Sequence, residues 1–225
     1  MTTRSLTFLS LSVLLALSGV SIAQTQTADA ILAKVAATQK SAKDISFKVS
    51  GKATLDAGDQ AIDLDIQSIP AANLARVVFN APDVLADNIV VVDDKEVRNY
   101  LYLTNQVTVT SVNKAAGQDL SGLDLSQLSN LVSALKTRYD VKVLGSSGSA
   151  GSRLYQLAAS PKNGVQGGES RVWISENGWR PTRFQSLDSA GKVVADLNVS
   201  DYKVNTGLTA ARLKQLPKDA EVVRQ

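Results

Sequence analysis

From Ile45 to Leu55 the chain alternates with period two. Ile45, Phe47, Val49, Ala53 and Leu55 fall on one side, and Ser46, Lys48, Ser50, Lys52 and Thr54 on the other. Successive side chains of an extended strand point to opposite faces, so this segment predicts an antiparallel strand with one face buried. Asp56-Ala57-Gly58-Asp59 supplies turn residues, and Ile62, Leu64 and Ile66 then alternate with Asp63, Asp65 and Gln67. A helix repeats every 3.6 residues and cannot bury such a pattern on one side. The two runs therefore predict a long hairpin whose apolar face must be covered by something else.

The rhythm recurs. Strands are expected at 75–80, 88–92, 96–103 and 106–111, with Asp93-Asp94 and Thr104-Asn105 as tight turns, and again at 139–144, 153–159, 171–175, 182–187 and 193–204. Two helices break it. Thr27 is a candidate N-cap for a first helix in which Ile31, Leu32 and Val35 recur at helical spacing to about Gln39. Within 121–135, Leu125, Leu128, Leu131, Val132 and Leu135 form a second helical stripe. The fold class expected is mainly β (α+β): about ten antiparallel strands in one sheet curled on itself, with an N-terminal helix and an internal helix. No composition break suggests a second domain.

Residues 1–23 read separately. A basic start at Arg4, an apolar run of 15 residues from Leu6 to Val20 and the small residues Ser21 and Ala23 make a secretory signal peptide cleaved near Ala23. The alternative is a membrane anchor, but spanning a bilayer takes about 20 apolar residues. Residues 24–225 are then one exported domain. No cysteine is present, so disulfides, thiolate metal sites and lipid attachment at the cut are excluded. Loss of Arg4 takes one cation from 24, leaving 23 Lys and Arg against 21 Asp and Glu. They are interspersed, which gives no basic face for nucleic acid.

Histidine is absent, which removes the usual general base at neutral pH, the Ser-His-Asp triad and imidazole metal ligands. Asp63 and Asp65 share the polar strand face and fit a solvated surface better than a catalytic pair. Asp93, Asp94, Asp56 and Asp59 fit turn positions. No calcium loop is spelled out, and Gly164 to Gly168 lies between strands rather than before a helix. The expectation is a protein that is not an enzyme, with no metal and no cofactor. Its apolar surface is the better signal: about ten strands with helices alongside make more of it than a filled small barrel needs. The inward residues are mostly aliphatic, which suits alkyl chains.

The C-terminal third carries an ordered series. Arg171-Val172-Trp173-Ile174-Ser175-Glu176-Asn177-Gly178-Trp179-Arg180-Pro181 leads to Phe184; Asp188-Ser189-Ala190-Gly191-Lys192 follows. Asn205 and Leu208 come next, then Pro217 and Val222-Val223. A tryptophan strand, a D-x-x-G-K turn, an N-x-x-L segment and a proline-led V-V ending in that order resemble the outer-membrane lipoprotein carrier (LolA-like) family. The layout of the first half, with one helix, the long hairpin and a turn at Pro70, is similar too. The resemblance implies an unclosed antiparallel β-barrel with a helical lid. It also implies an apolar cavity that takes acyl chains of lipoproteins or lipids in the periplasm, and transient contact with membrane donor and acceptor proteins. One departure stands out: the family's lid-latching arginine before the turn proline is Ile69 here. Arg76 is either its substitute or an outward strand charge.

The expected cavity lining is Ile45, Phe47, Val49, Ile62, Leu64, Ile66, Val77 and Phe79. Leu125, Leu128, Leu131 and Leu135 face it from the internal helix, which is either a lid or an ordinary core helix. The first functional expectation is a monomeric periplasmic carrier or chaperone for transfer to the outer membrane. Its rival is an envelope sensor using the same half-barrel to detect lipid and contact a membrane protein. A small envelope enzyme ranks last.

Overall fold

The computed structural model describes residues 26–55, 58–112, 119–120, 123–124, 131–162 and 168–225. Residues 1–23, read above as a signal peptide, lie outside the described residues, as do Leu125, Leu128 and most of the Gly164 to Gly168 connection.

Helix α1 (Ala28–Ser41) begins where the sequence places it: the Thr27 hydroxyl accepts from the Ala30 N–H at 3.2 Å. It is followed by β1 (Ile45–Leu55), β2 (Gly58–Ile69), β3 (Leu74–Ala81), β4 (Ile89–Val92), β5 (Glu96–Leu101) and β6 (Gln106–Ser111). Two short strands, β7 (Asp119–Leu120) and β8 (Leu123–Asp124), pair with each other. Helix α2 (Leu131–Arg138) precedes β9 (Tyr139–Ser147), β10 (Leu154–Pro161), β11 (Ser170–Ser175), β12 (Arg180–Leu187) and β13 (Val193–Val204). The chain closes with α3 (Ala210–Leu213) and β14 (Glu221–Arg224).

Twelve strands form one sheet in the order β14-β6-β5-β4-β3-β2-β1-β13-β12-β11-β10-β9. Every pair is antiparallel except β14 with β6, and β9 and β14 are the two free edges. The sheet is therefore unclosed. It holds one strand more than the eleven segments read as strands, because 220–223, read only as a terminal stretch, adds a parallel edge strand. Strand β8 also falls within 121–135, where a helix is expected. The helix found runs through Arg138 rather than ending at Leu135.

Pairing of β1 with β13 joins the two ends of the sequence into one surface. Gly51 makes that possible, since a methyl at its position would run into the Asp196 carbonyl. The turn chemistry is local. Asp93 Oδ1 accepts from the Lys95 and Glu96 N–H groups at 3.0 Å each, and Asp188 Oδ1 from Ala190 and Lys192 at 2.9 Å each.

A strap formed by 205–220 crosses the outer face of β3 to β6. Leu213 is fully buried against Leu74 and Val91, with Ile69, Ile89, Leu208 and Leu216 around it. Burying one such leucine stabilises by about 2 kcal/mol. Asp44 anchors the strap's start. Its carboxylate accepts from the Thr206 N–H and hydroxyl, each at 2.7 Å, and from the Gly207 N–H at 2.9 Å. Burial pushes its pKa up, but these hydrogen bonds outweigh that and hold it below the ordinary value.

Candidate functional site

Strand parity places the apolar residues of β1 to β4 and β13 on the inner face of the curled sheet. Phe47 pairs with Ile66, Val49 with Leu64, Leu64 with Phe79, Ile66 with Val77, and Val49 also with Val199. Val49, Ile62, Leu64, Ile66, Val77 and Phe79 join Ala53, Val90, Val92, Leu197 and Val199 in one buried cluster, and Phe47 packs against it. So all the expected lining residues except Ile45 come together. Ile45 is buried but stands apart from the cluster, beyond the register shift between Ser46 and Lys48 where β1 leaves its regular ladder with β13.

A second inner cluster continues the first. Ile31, Leu32 and Val35 of α1 pack on Tyr155 and Leu157 of β10 and Val172 and Ile174 of β11. Phe184 of β12 touches both clusters. Leu157, Val172 and Leu197 were missed as lining candidates, although Tyr155-Leu157-Ala159 and Leu197-Val199 show the same period-two signal as β1. Aliphatic side chains dominate the combined face, and its residues are largely shielded from solvent, between 1% and 8% exposed in the first cluster.

Of the expected lid residues, Leu135 sits half-buried on α2, which also contains Leu131. This helix packs beside β9 and α1, and Lys136 bonds Asp29 of α1 at 2.8 Å. The described part of the internal helix thus belongs to the β9 edge. Arg76 does not latch it. Its guanidinium is on the outer face, where Nη1 donates to the Leu213 carbonyl at 3.1 Å and the Gln215 carbonyl at 2.6 Å. Burial lowers the Arg76 pKa from its ordinary value. Ile69 faces the same strap. Ile69 and Arg76 therefore both hold the C-terminal segment.

Away from the strap's apolar contacts, the outer face carries matched polar pairs. Asn80 Nδ2 donates to Asp63 at 3.0 Å and to Asp65 at 2.9 Å, and Arg183 grips Asp196 at 2.7 and 2.5 Å. Asp93 Oδ2 accepts from Lys214 Nζ at 2.8 Å, tying the strap to the β4–β5 turn. Burial acts to raise the Asp93 pKa, but Lys214 and the two turn amides overcome it and bring it to about 2. A separate open depression of about 480 Å³ is lined by Pro161, Arg171, Leu187 and Asp188 among others; none of the expected lining residues belongs to it.

At the end of the inner face carrying the β11–β12 turn, aromatic rings gather. Tyr155 stacks on Trp179 with centroids 5.9 Å apart, and Phe47 on Tyr202 at 5.7 Å. Lys34 Nζ lies 4.2 Å from the Trp179 ring centre and the Arg180 guanidinium 5.4 Å from that of Tyr202.

No family model matches the chain, and no curated protein matches it either. Solved structures do. An uncharacterized conserved protein from Thermus thermophilus is 29% identical with a TM-score of 0.66, over 88% of this chain and 99% of that one. MucB, in the MucA/MucB complex of Pseudomonas aeruginosa, is 15% identical with a TM-score of 0.50 over 86% of this chain; the match spans 62% of MucB. A LolA superfamily protein from Nitrosomonas europaea aligns over 85% of this chain and 99% of its own at 14% identity and a TM-score of 0.44. With its N-terminal helix and an unclosed sheet of mostly antiparallel strands folded round one apolar face, the chain shares its fold with the Thermus thermophilus protein and with the matched part of MucB.

Proposed function

We propose that this protein is an exported carrier that shields acyl chains of lipoproteins or lipids in the periplasm, working by binding rather than by catalysis. The observation that carries the reading is the inner face. Two aliphatic clusters joined through Phe184 form one continuous apolar surface on a sheet that does not close. An alkyl chain moved from water to such a surface gains about 0.8 kcal/mol per buried CH₂. Because the face is shielded from solvent, loading requires it to open, and the free β9 edge with α1 and α2 alongside offers the movable side.

A second reading rests on the fold shared with MucB, which is seen bound to MucA: recognition of a protein partner, with lipid as the signal. Mass spectrometry of the mature protein purified from its own cell envelope separates the two. Near-stoichiometric co-purifying lipid or lipopeptide supports the carrier. A stoichiometric protein partner without lipid supports the sensor, and the absence of both sinks the pair.

A further inference from the structure

The Tyr155 hydroxyl is buried and has no hydrogen-bond partner among the described residues. Tyr155 is only 3% exposed and is packed among Ile31, Leu32, Val35 and Ile174. Buried phenols ordinarily find a partner, and an unsatisfied one costs about 1–3 kcal/mol. A residue kept at that cost where phenylalanine has the same shape points to a partner that arrives from outside.

The surroundings indicate what kind of partner. Trp179, stacked on Tyr155, has φ +42°, whereas the other non-glycine residues with positive φ among those described are Asn or Asp. Holding a bulky side chain in the left-handed region costs about 1–3 kcal/mol, and such strain gathers at ligand sites. Trp179 presents its ring to the Lys34 ammonium, and the next residue, Arg180, lies over Tyr202. Lys34 has only the neutral Gln26 Oε1 at 3.3 Å, and neither it nor Arg180 has an acidic partner among the described residues. Two cations without an acidic partner, the exposed Lys34 over the ring stacked on Tyr155 and Arg180 next to that ring in sequence, therefore stand at the end of the aliphatic face that holds the spare donor.

We propose that the Tyr155 hydroxyl is the hydrogen-bond donor for the oxyanion of an alkyl-chain ligand, with Lys34 and Arg180 supplying the opposing charge. This rests on the carrier reading and adds polarity to it: the ligand lies with its tail along the β1–β4 face and its charged end toward the β11–β12 turn. A carboxylate or a phosphate meets the same chemistry.

The test compares the mature protein with Tyr155→Phe in binding cis-parinaric acid and its methyl ester, with palmitate and lysophosphatidate as competitors. Tyr155→Phe is expected to keep or raise the melting temperature, because no internal bond is lost. It should also weaken binding of the acid about tenfold, as for a hydrogen bond to a charged group. Lys34→Gln/Arg180→Gln should remove the preference for acid over ester. Whichever competitor loses potency against Tyr155→Phe identifies the carboxylate or the phosphate as the anchored group. A lower melting temperature, or unchanged affinity for both competitors, overturns the anchor while leaving the carrier. Failure of the wild-type protein to bind any of these probes overturns the carrier itself.

Discussion

The strap over the outer face depends on Asp93, and its contribution is readable as a pH dependence. The carboxylate is 8% exposed and is held by the Lys95 and Glu96 amides, by Lys214 at 2.8 Å and by Arg98 at 3.7 Å. Folding lowers its pKa from 3.8 to about 2. At about 1.4 kcal/mol per pH unit this amounts to about 2 kcal/mol of stability. Because the folded-state pKa is the depressed one, that stability is complete above about pH 4 and disappears as the pH falls through about 2. Asp93→Asn removes the charge, so at pH 7 it should cost about 2 kcal/mol, which is about 4–8 °C for a domain of this size. Urea unfolding of wild type and variant at several pH values between 7 and 2 gives both quantities. The gap should be widest near neutrality and shrink toward pH 2. A gap that stays constant down to pH 2 would refute the assignment of this stability to the Asp93 charge.

Three further outcomes follow from the geometry. Gly51→Ala forces a methyl against the Asp196 carbonyl, so urea unfolding should show a loss of about 2 kcal/mol; a neutral result means that β1 and β13 do not approach as closely as described. Arg76→Met should speed amide exchange across 208–216 without changing that of β10 and β11, since it cuts the bonds to the Leu213 and Gln215 carbonyls; uniform exchange in both regions contradicts this role. Asp44→Ala leaves the amides of Thr206 and Gly207 without acceptors and should cost about 3 kcal/mol at pH 7, with guanidinium unfolding as the check; a cost under about 1 kcal/mol is incompatible with the bonding described.

What the sequence makes legible here is mostly local. The Thr27 cap, the Asp93 and Asp188 turns and the alternation of β1 to β3 depend on neighbours a few residues away, and all are found. Placing Val49, Leu64, Val77 and Phe79 on one face needs only parity. What is not legible depends on distant partners. Nothing in the residues around Arg76 announces carbonyls 137 and 139 positions away, and nothing near 221–224 announces a parallel register with β6. Ile45 obeys the alternation yet leaves the cluster, because the register shift against β13 is a property of the pair. In the sequence Tyr155 is an ordinary strand aromatic; its isolation follows from the packing of α1 above it, which no spacing encodes.

The central claim is that the shielded inner face opens to receive hydrocarbon. A series of saturated fatty acids of increasing length, titrated as competitors of cis-parinaric acid, tests it most directly. Each pair of added methylenes should tighten binding on the order of tenfold until the face is filled. Affinity that is absent, or that does not change with chain length, would mean the aliphatic surface between the sheet and its helices never receives a tail.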